Sequence, residues 1–181
     1  MGRDGGSFML WIWNLIVYSF LGFLLEAAFA WATGGRTDRK GLLVLPLCPV
    51  YGLGACLILT LPRWTAAQPW ALFLAGGAAA TAAEYLAALY YERALGVSFW
   101  DYGDLPGSFQ GRVCLSFSLV WGALSLVLVY WVHPALAPWL ARIPAPVGWS
   151  ALAALLADSL VSAALLRRSG DTACLRWYDW N

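Results

Sequence analysis

The sequence predicts an all-α polytopic membrane protein of about five transmembrane helices, with a kinked second helix and an aromatic loop between helices three and four. Three observations carry this. Of 181 residues, 61% are hydrophobic and only 12% are charged, where an ordinary soluble domain carries roughly 25% charged. The apolar residues gather in runs close to the roughly 20 residues that cross a bilayer. The 12 tryptophans suit a chain whose ends of span lie at headgroup level.

The length accommodates one bundle, so residues 1–181 are expected to form a single integral membrane domain. A formal charge of +1, from 11 Lys+Arg against 10 Asp+Glu, offers no basic face for phosphate backbones, which excludes nucleic acid as a partner and leaves the lipid bilayer as the first. No G-x-x-x-x-G-K-[ST] occurs in the sequence, so ATP hydrolysis would have to come from another chain. Cys48, Cys56, Cys114 and Cys174 form no C-x-x-C pair, and His133 is the sole histidine. No cofactor and no metal site are therefore expected, and the thiols read as buried.

The first apolar run, Phe8 to Thr33, holds Asn14 and Glu26 and ends at the turn-forming Gly34-Gly35. Ala28-Phe29-Ala30 has the small-x-small form of a signal-peptide cleavage site, but the run before it is too long, rich in Trp and Tyr, and acidic at Glu26. A retained span is expected. The second run, Leu42 to Leu61, carries Pro46, Pro49, Gly52 and Gly54 in its first half. Lost backbone donors predict a kinked or partly unwound start, tolerated at membrane depth only under protein or water. Further spans are expected at about 70–91, 113–132 and 147–166, alongside the first two at about 8–33 and 42–61. His133 to Pro146, punctuated by prolines, reads as an interfacial connection.

Five crossings place Arg3, Arg63 and Arg142 on one side and Arg36, Arg39, Lys40, Arg93, Arg112, Arg167, Arg168 and Arg176 on the other. The basic excess marks the cytoplasmic side. The N-terminus is thus expected outside and the C-terminus in the cytoplasm.

Acids inside a span cost several kcal/mol unless paired, protonated or hydrated, which makes them functional candidates. Tyr18, Gly22 and Glu26 follow at four-residue steps on one face of the first span. Glu84 and Glu92 share a stripe of the third, with Glu84 the deeper. Asp158, beside Ser159 and Ser162, lies near the middle of the fifth and needs a partner or a proton. Arg112, opening the fourth span, is placed to pair with a carboxylate, which its planar fork suits. His133 reads as a helix-end residue.

The segment from Glu92 to Arg112 contains Trp100-Asp101-Tyr102-Gly103-Asp104 and Gly107-Ser108-Phe109-Gln110-Gly111-Arg112. Turn formers alternating with rings point to a re-entrant or surface-lying loop. Glu92, Asp101 and Asp104 lack the spacing of a dedicated Ca²⁺ loop. Ser108, Ser116 and Ser118 lack a G-x-S-x-G elbow, which argues against serine hydrolysis.

Together, Ser19-Phe20-Leu21-Gly22 with Glu26, Lys40-Gly41-Leu42-Leu43, Pro46-Leu47-Cys48-Pro49-Val50-Tyr51-Gly52-Leu53-Gly54, Glu84-Tyr85 with Glu92, Trp100-Asp101-Tyr102, Gly111-Arg112-Val113-Cys114-Leu115 and Trp121-Gly122 resemble the bacterial membrane family called putative ABC-transporter permease, type IV. The resemblance spans about residues 14–134. Two positions depart from the family's pattern: Arg39-Lys40-Gly41 stands where Asn-Arg-Gly is typical, and Ser108 where an asparagine is frequent. The resemblance implies a transport subunit of the bacterial cytoplasmic membrane, and because five spans are few for a pore, a homodimer or a separate ATP-binding subunit is expected. It carries over no catalytic residue.

Charge, backbone and resemblance converge on a pocket in the cytoplasmic half, with Glu26, Tyr51, Glu84, Tyr85, Glu92, Trp100, Asp101, Tyr102 and Arg112 as candidate substrate-binding residues. Two alternatives stay open. One is an intramembrane enzyme on a lipid or lipid-linked substrate, with Glu84 or Asp101 as acid or base and Arg112 on an anionic headgroup. The other is a ligand-free assembly or regulatory protein built on small-residue helix contacts.

Overall fold

The computed structural model describes residues 3–34 and 41–175, with side chains from residue 8 onward. Arg36, Arg39, Lys40, Arg176 and the side chain of Arg3, all part of the charge asymmetry, lie outside the described residues. The order is α1 (Arg3–Ala32), α2 (Pro49–Leu59), the short α3 (Arg63–Ala66), α4 (Pro69–Tyr90) with a π turn Tyr91–Leu95, a hairpin of β1 (Ser108–Phe109) and β2 (Val113–Cys114), α5 (Leu115–Val127) with a π turn Leu128–Val132, α6 (His133–Leu140), α7 (Ala145–Ser169) and a 3₁₀ turn Thr172–Leu175. Among the described residues, four stretches are long and apolar enough to cross a membrane: Phe8–Ala32, Pro69–Leu95, Leu115–Leu140 and Ala145–Ser169. The chain is an all-α polytopic membrane protein.

The second apolar run is the exception to simple spanning. Helix α2 has only 11 residues, roughly 16 Å against a hydrocarbon core of about 30 Å. The chain ahead of it, from Gly41 to Cys48, is irregular. Pro49 explains the boundary: it lacks an N–H and drives the preceding residue out of the helical region, and Cys48 is extended at φ −108° and ψ 92°. The irregular segment is tied at membrane depth from both sides. The Cys48 N–H donates to the Ser19 carbonyl in α1 at 2.9 Å. The Val44 and Leu45 N–H groups donate to Ser162 Oγ and Asp158 Oδ2 of α7, each at 3.1 Å. Asp158 thus meets the backbone that Pro46 and Pro49 keep from being helical, which is how unwound chain survives away from water.

The helix of the fourth apolar run continues further than the sequence predicts, through His133 and Pro134 to Leu140. Pro134 cannot donate one turn back, and the wider π turn Leu128–Val132 sits immediately before α6, the local adjustment that lets a helix pass an interrupted ladder. His133 is consequently not a free end: Tyr18 Oη on α1 lies 2.7 Å from its Nδ1. Helix α7 stops where Gly170 turns left-handed at φ +67°, with Arg167 and Arg168 in the last turn, a favourable end for the helix dipole and for headgroups.

Small residues bring the helices together. A Cβ on Gly52 would stand 2.4 Å from the Leu15 carbonyl oxygen, so α2 lies against the α1 backbone. The α4–α5 contact is also tight where Gly77 meets Gly122, a Cβ on Gly77 falling 3.3 Å from the Gly122 backbone. Hydroxyls add to it, the buried Ser125 Oγ donating to the Leu72 carbonyl at 3.1 Å and the half-buried Thr81 Oγ1 to Ser118 Oγ at 2.9 Å.

Candidate functional site

The site forms where α1, α2, α4, α5 and the loop after α4 meet. Gly96, left-handed at φ +73°, ends the π turn and reverses the chain. Tyr91 at that turn packs edge-on against Phe99 and Trp100, with ring centroids 4.8 and 5.9 Å away. The Trp100 indole N–H donates to the Arg112 carbonyl at 2.9 Å, and Tyr102 N–H donates to the Gly111 carbonyl at 2.7 Å. These bonds fold the loop onto itself and turn Tyr102 back into the bundle. Its ring stacks on Phe117 of α5 at 4.8 Å.

There Tyr102 Oη donates to Glu84 Oε1 at 3.0 Å, and the Trp121 indole N–H donates to Glu84 Oε2 at 2.9 Å. Glu84 is only 4% exposed, so both carboxylate oxygens are answered by aromatic donors from different elements. On the facing side Tyr51 Oη donates to Glu26 Oε1 at 2.6 Å. Tyr51 can lie there because residue 22 is glycine: a Cβ on it would fall 2.3 Å from the Tyr51 ring. Tyr51 and Trp121 meet edge to face at 4.9 Å. Between the two acids is a cavity of about 30 Å³ lined by Glu26, Val50, Tyr51, Glu84, Trp100, Tyr102, Phe117 and Trp121, room for about one water-sized group.

The nine sequence candidates divide. Glu26, Tyr51, Glu84, Trp100 and Tyr102 share the cavity. Tyr85, Glu92 and Arg112 form a second cluster at its hairpin side: Arg112 contacts Glu92 Oε2 through Nε at 2.9 Å and Nη2 at 2.5 Å. Arg112 also donates to Gln110, which accepts from Tyr85 Oη at 2.9 Å, and lies over the Tyr85 ring at 5.6 Å. The Glu92 bonds hold the Arg112 guanidinium above its ordinary value. Asp101 joins neither group; its Oδ1 accepts from Gly103 N–H at 2.8 Å and shapes the turn. Glu92, Asp101 and Asp104 do not come together as a cation site.

Tyr102 lies outside the spans, and burial followed by the Glu84 carboxylate pushes its phenol well above the usual tyrosine value. It stays a hydrogen-bond donor across the physiological range. Sequence reasoning missed Trp121 and Phe117 as parts of the wall. A usable signal existed for the first, since a tryptophan in mid-span must find an acceptor for its N–H.

The family model described as "Putative ABC-transporter type IV" matches residues 13–164. No curated protein and no solved structure matches the chain.

Proposed function

The chain belongs to the putative ABC-transporter type IV family, and from that premise we propose that it is the membrane-embedded permease subunit of a transport system whose substrate contacts Glu26 and Glu84. Membership gives it a transport-related role in general terms; the pocket and the permease activity are our reading. The observation that carries it is the pairing of two intramembrane carboxylates across one cavity, beside an unwound crossing. Ionisable groups in spans and broken helices are features of substrate pathways. A separate ATP-binding subunit supplies the energy, and two copies of the chain complete the pathway, because one small bundle is narrow for a pore.

The same reading places the protein in the bacterial cytoplasmic membrane as a single domain, with the N-terminus outside and the C-terminus in the cytoplasm. Arg93, Arg112, Arg167 and Arg168 support that orientation. A reporter fused after Asn181 that works only on the outer face would reject it. The intramembrane-enzyme alternative has less behind it, because Asp101 and Arg112 are engaged within the loop.

The function is tested by affinity purification from native membranes and by comparing solute content of cells expressing wild-type protein with those expressing Glu84→Gln. Co-purification of a P-loop ATPase, and a solute whose distribution depends on Glu84 at equal levels of folded protein, are the expected results. A wild-type solute profile for Glu84→Gln rejects the pocket as a pathway.

A further inference from the structure

The acid cavity does not end blindly. Two of its wall residues, Tyr51 and Trp121, also line an apolar groove of about 290 Å³ between α1, α2, α4 and α5. Its floor is kept open by Gly22, Gly54 and Ala80. On the α5 side it runs from Trp121 to Val132, roughly 16 Å along the helix. Leu21, Leu25 and Val127 on its rim are exposed within spanning segments, so the groove opens sideways to the hydrocarbon of the bilayer. The molecule therefore presents an apolar slot about as long as an alkyl chain, and the slot abuts a water-sized chamber holding two carboxylates.

Charge and size specify the head of the occupant. None of the described residues that line the chamber carries positive charge, and the nearby Arg112 is held by Glu92 and Gln110. The recorded hydrogen bonds at Glu26 and Glu84 are all accepted by the carboxylates. A cation is the missing complement, and the faces of Tyr51 and Trp121 favour one as well. At about 30 Å³ the chamber matches a primary ammonium, close in size to a water molecule, and excludes a trimethylammonium or phosphate-bearing head.

We propose that the site takes a long-chain primary amine, with its ammonium between Glu26 and Glu84 and its alkyl chain in the groove. This names the substrate class of the transport site proposed above and rests on that placement of the pocket. Tyr51 and Trp121 wall both the chamber and the groove, so the bound amine lies against both rings.

The test uses the full chain in phosphatidylcholine nanodiscs and a dodecylamine probe carrying a photoreactive diazirine on its chain. Labelling is competed with dodecylamine, dodecanol or dodecyltrimethylammonium. Labelled peptides are expected from α2 and from α5 between Trp121 and Val127, and dodecylamine should compete about tenfold better than the other two, the scale of one charge-assisted contact. Glu26→Gln, which keeps an acceptor for Tyr51, should erase the preference of amine over alcohol. Leu124→Trp should fill the groove and abolish labelling while Glu26 and Glu84 stay in place. Equal competition by all three compounds, an unchanged preference in Glu26→Gln, or labelling elsewhere overturns the proposal. Selective amine binding in a protein that moves no solute with its ATPase would reject the transport reading and leave the amine site standing. Glu84-dependent movement of another solute, with no amine preference, would do the reverse.

Discussion

Trp121 of α5 donates its indole N–H to Glu84 of α4 across 2.9 Å, both side chains being buried. The bond adds to the close Gly77–Gly122 approach and the Ser125 and Thr81 hydrogen bonds between the same two helices. Trp121→Phe keeps an aromatic ring, though a smaller one, and removes the donor, leaving a buried carboxylate oxygen without that partner. Thermal unfolding in nanodiscs should show a loss of about 1–2 kcal/mol. Glu84→Gln should cost less. Its amide oxygen can accept from Trp121 while its NH₂ donates to Tyr102, because a phenol both gives and receives and an indole only gives. An unchanged midpoint for Trp121→Phe would show that the bond carries no stability.

Gly22 and Gly54 both line the groove, yet they should respond differently to alanine. A Cβ on Gly22 meets the Tyr51 ring at 2.3 Å, whereas on Gly54 it meets Ala80 Cβ at an ordinary 3.6 Å. Gly22→Ala should push Tyr51 away from Glu26 and destabilise by about 1–3 kcal/mol. Gly54→Ala should stay within about 0.5 kcal/mol of wild type. Equal effects in a side-by-side melting experiment would contradict the close α1–α2 approach.

Asp158 is set to hold backbone rather than substrate. Asp158→Asn retains an acceptor for Leu45 N–H and should be tolerated, while Asp158→Leu removes it and should cost about 1–3 kcal/mol. Protease sensitivity between Gly41 and Cys48 should rise in the leucine variant alone. If the asparagine variant is equally sensitive, the charge of Asp158 has a role beyond this bond.

Tyr102 predicts an alkaline loss of stability. The folded chain keeps the phenol proton above the value of 10.0 at which the unfolded side chain releases it. The folded state therefore binds more protons in that range, and stability, complete below pH 10, falls as the pH rises further. Melting temperatures of wild type and Tyr102→Phe, compared between about pH 8 and 11, should diverge less at the alkaline end because the phenylalanine variant lacks this decline. Parallel curves would show that Tyr102 is not shielded.

Family membership was readable from ordered motifs, and the all-α membrane class from apolar runs alone, because a segment long and greasy enough to cross a bilayer needs no tertiary partner to declare itself. Pro46 and Pro49 likewise announced the irregular chain ahead of α2 through local backbone chemistry. The helix of the fourth apolar run continues past His133 to Leu140 because a π turn lets it pass Pro134, an adjustment no single residue signals. The acids Glu26 and Glu84 stood out by their expense in a membrane, but not their company. Which donors reach Glu84, why Asp158 is bound to Leu45, and that Arg112 turns to Glu92 rather than into the cavity depend on residues 18 to 113 positions apart in the chain. Hydropathy and charge act locally and are written along the sequence, whereas hydrogen-bond partnership and cavity shape exist only once the helices have packed.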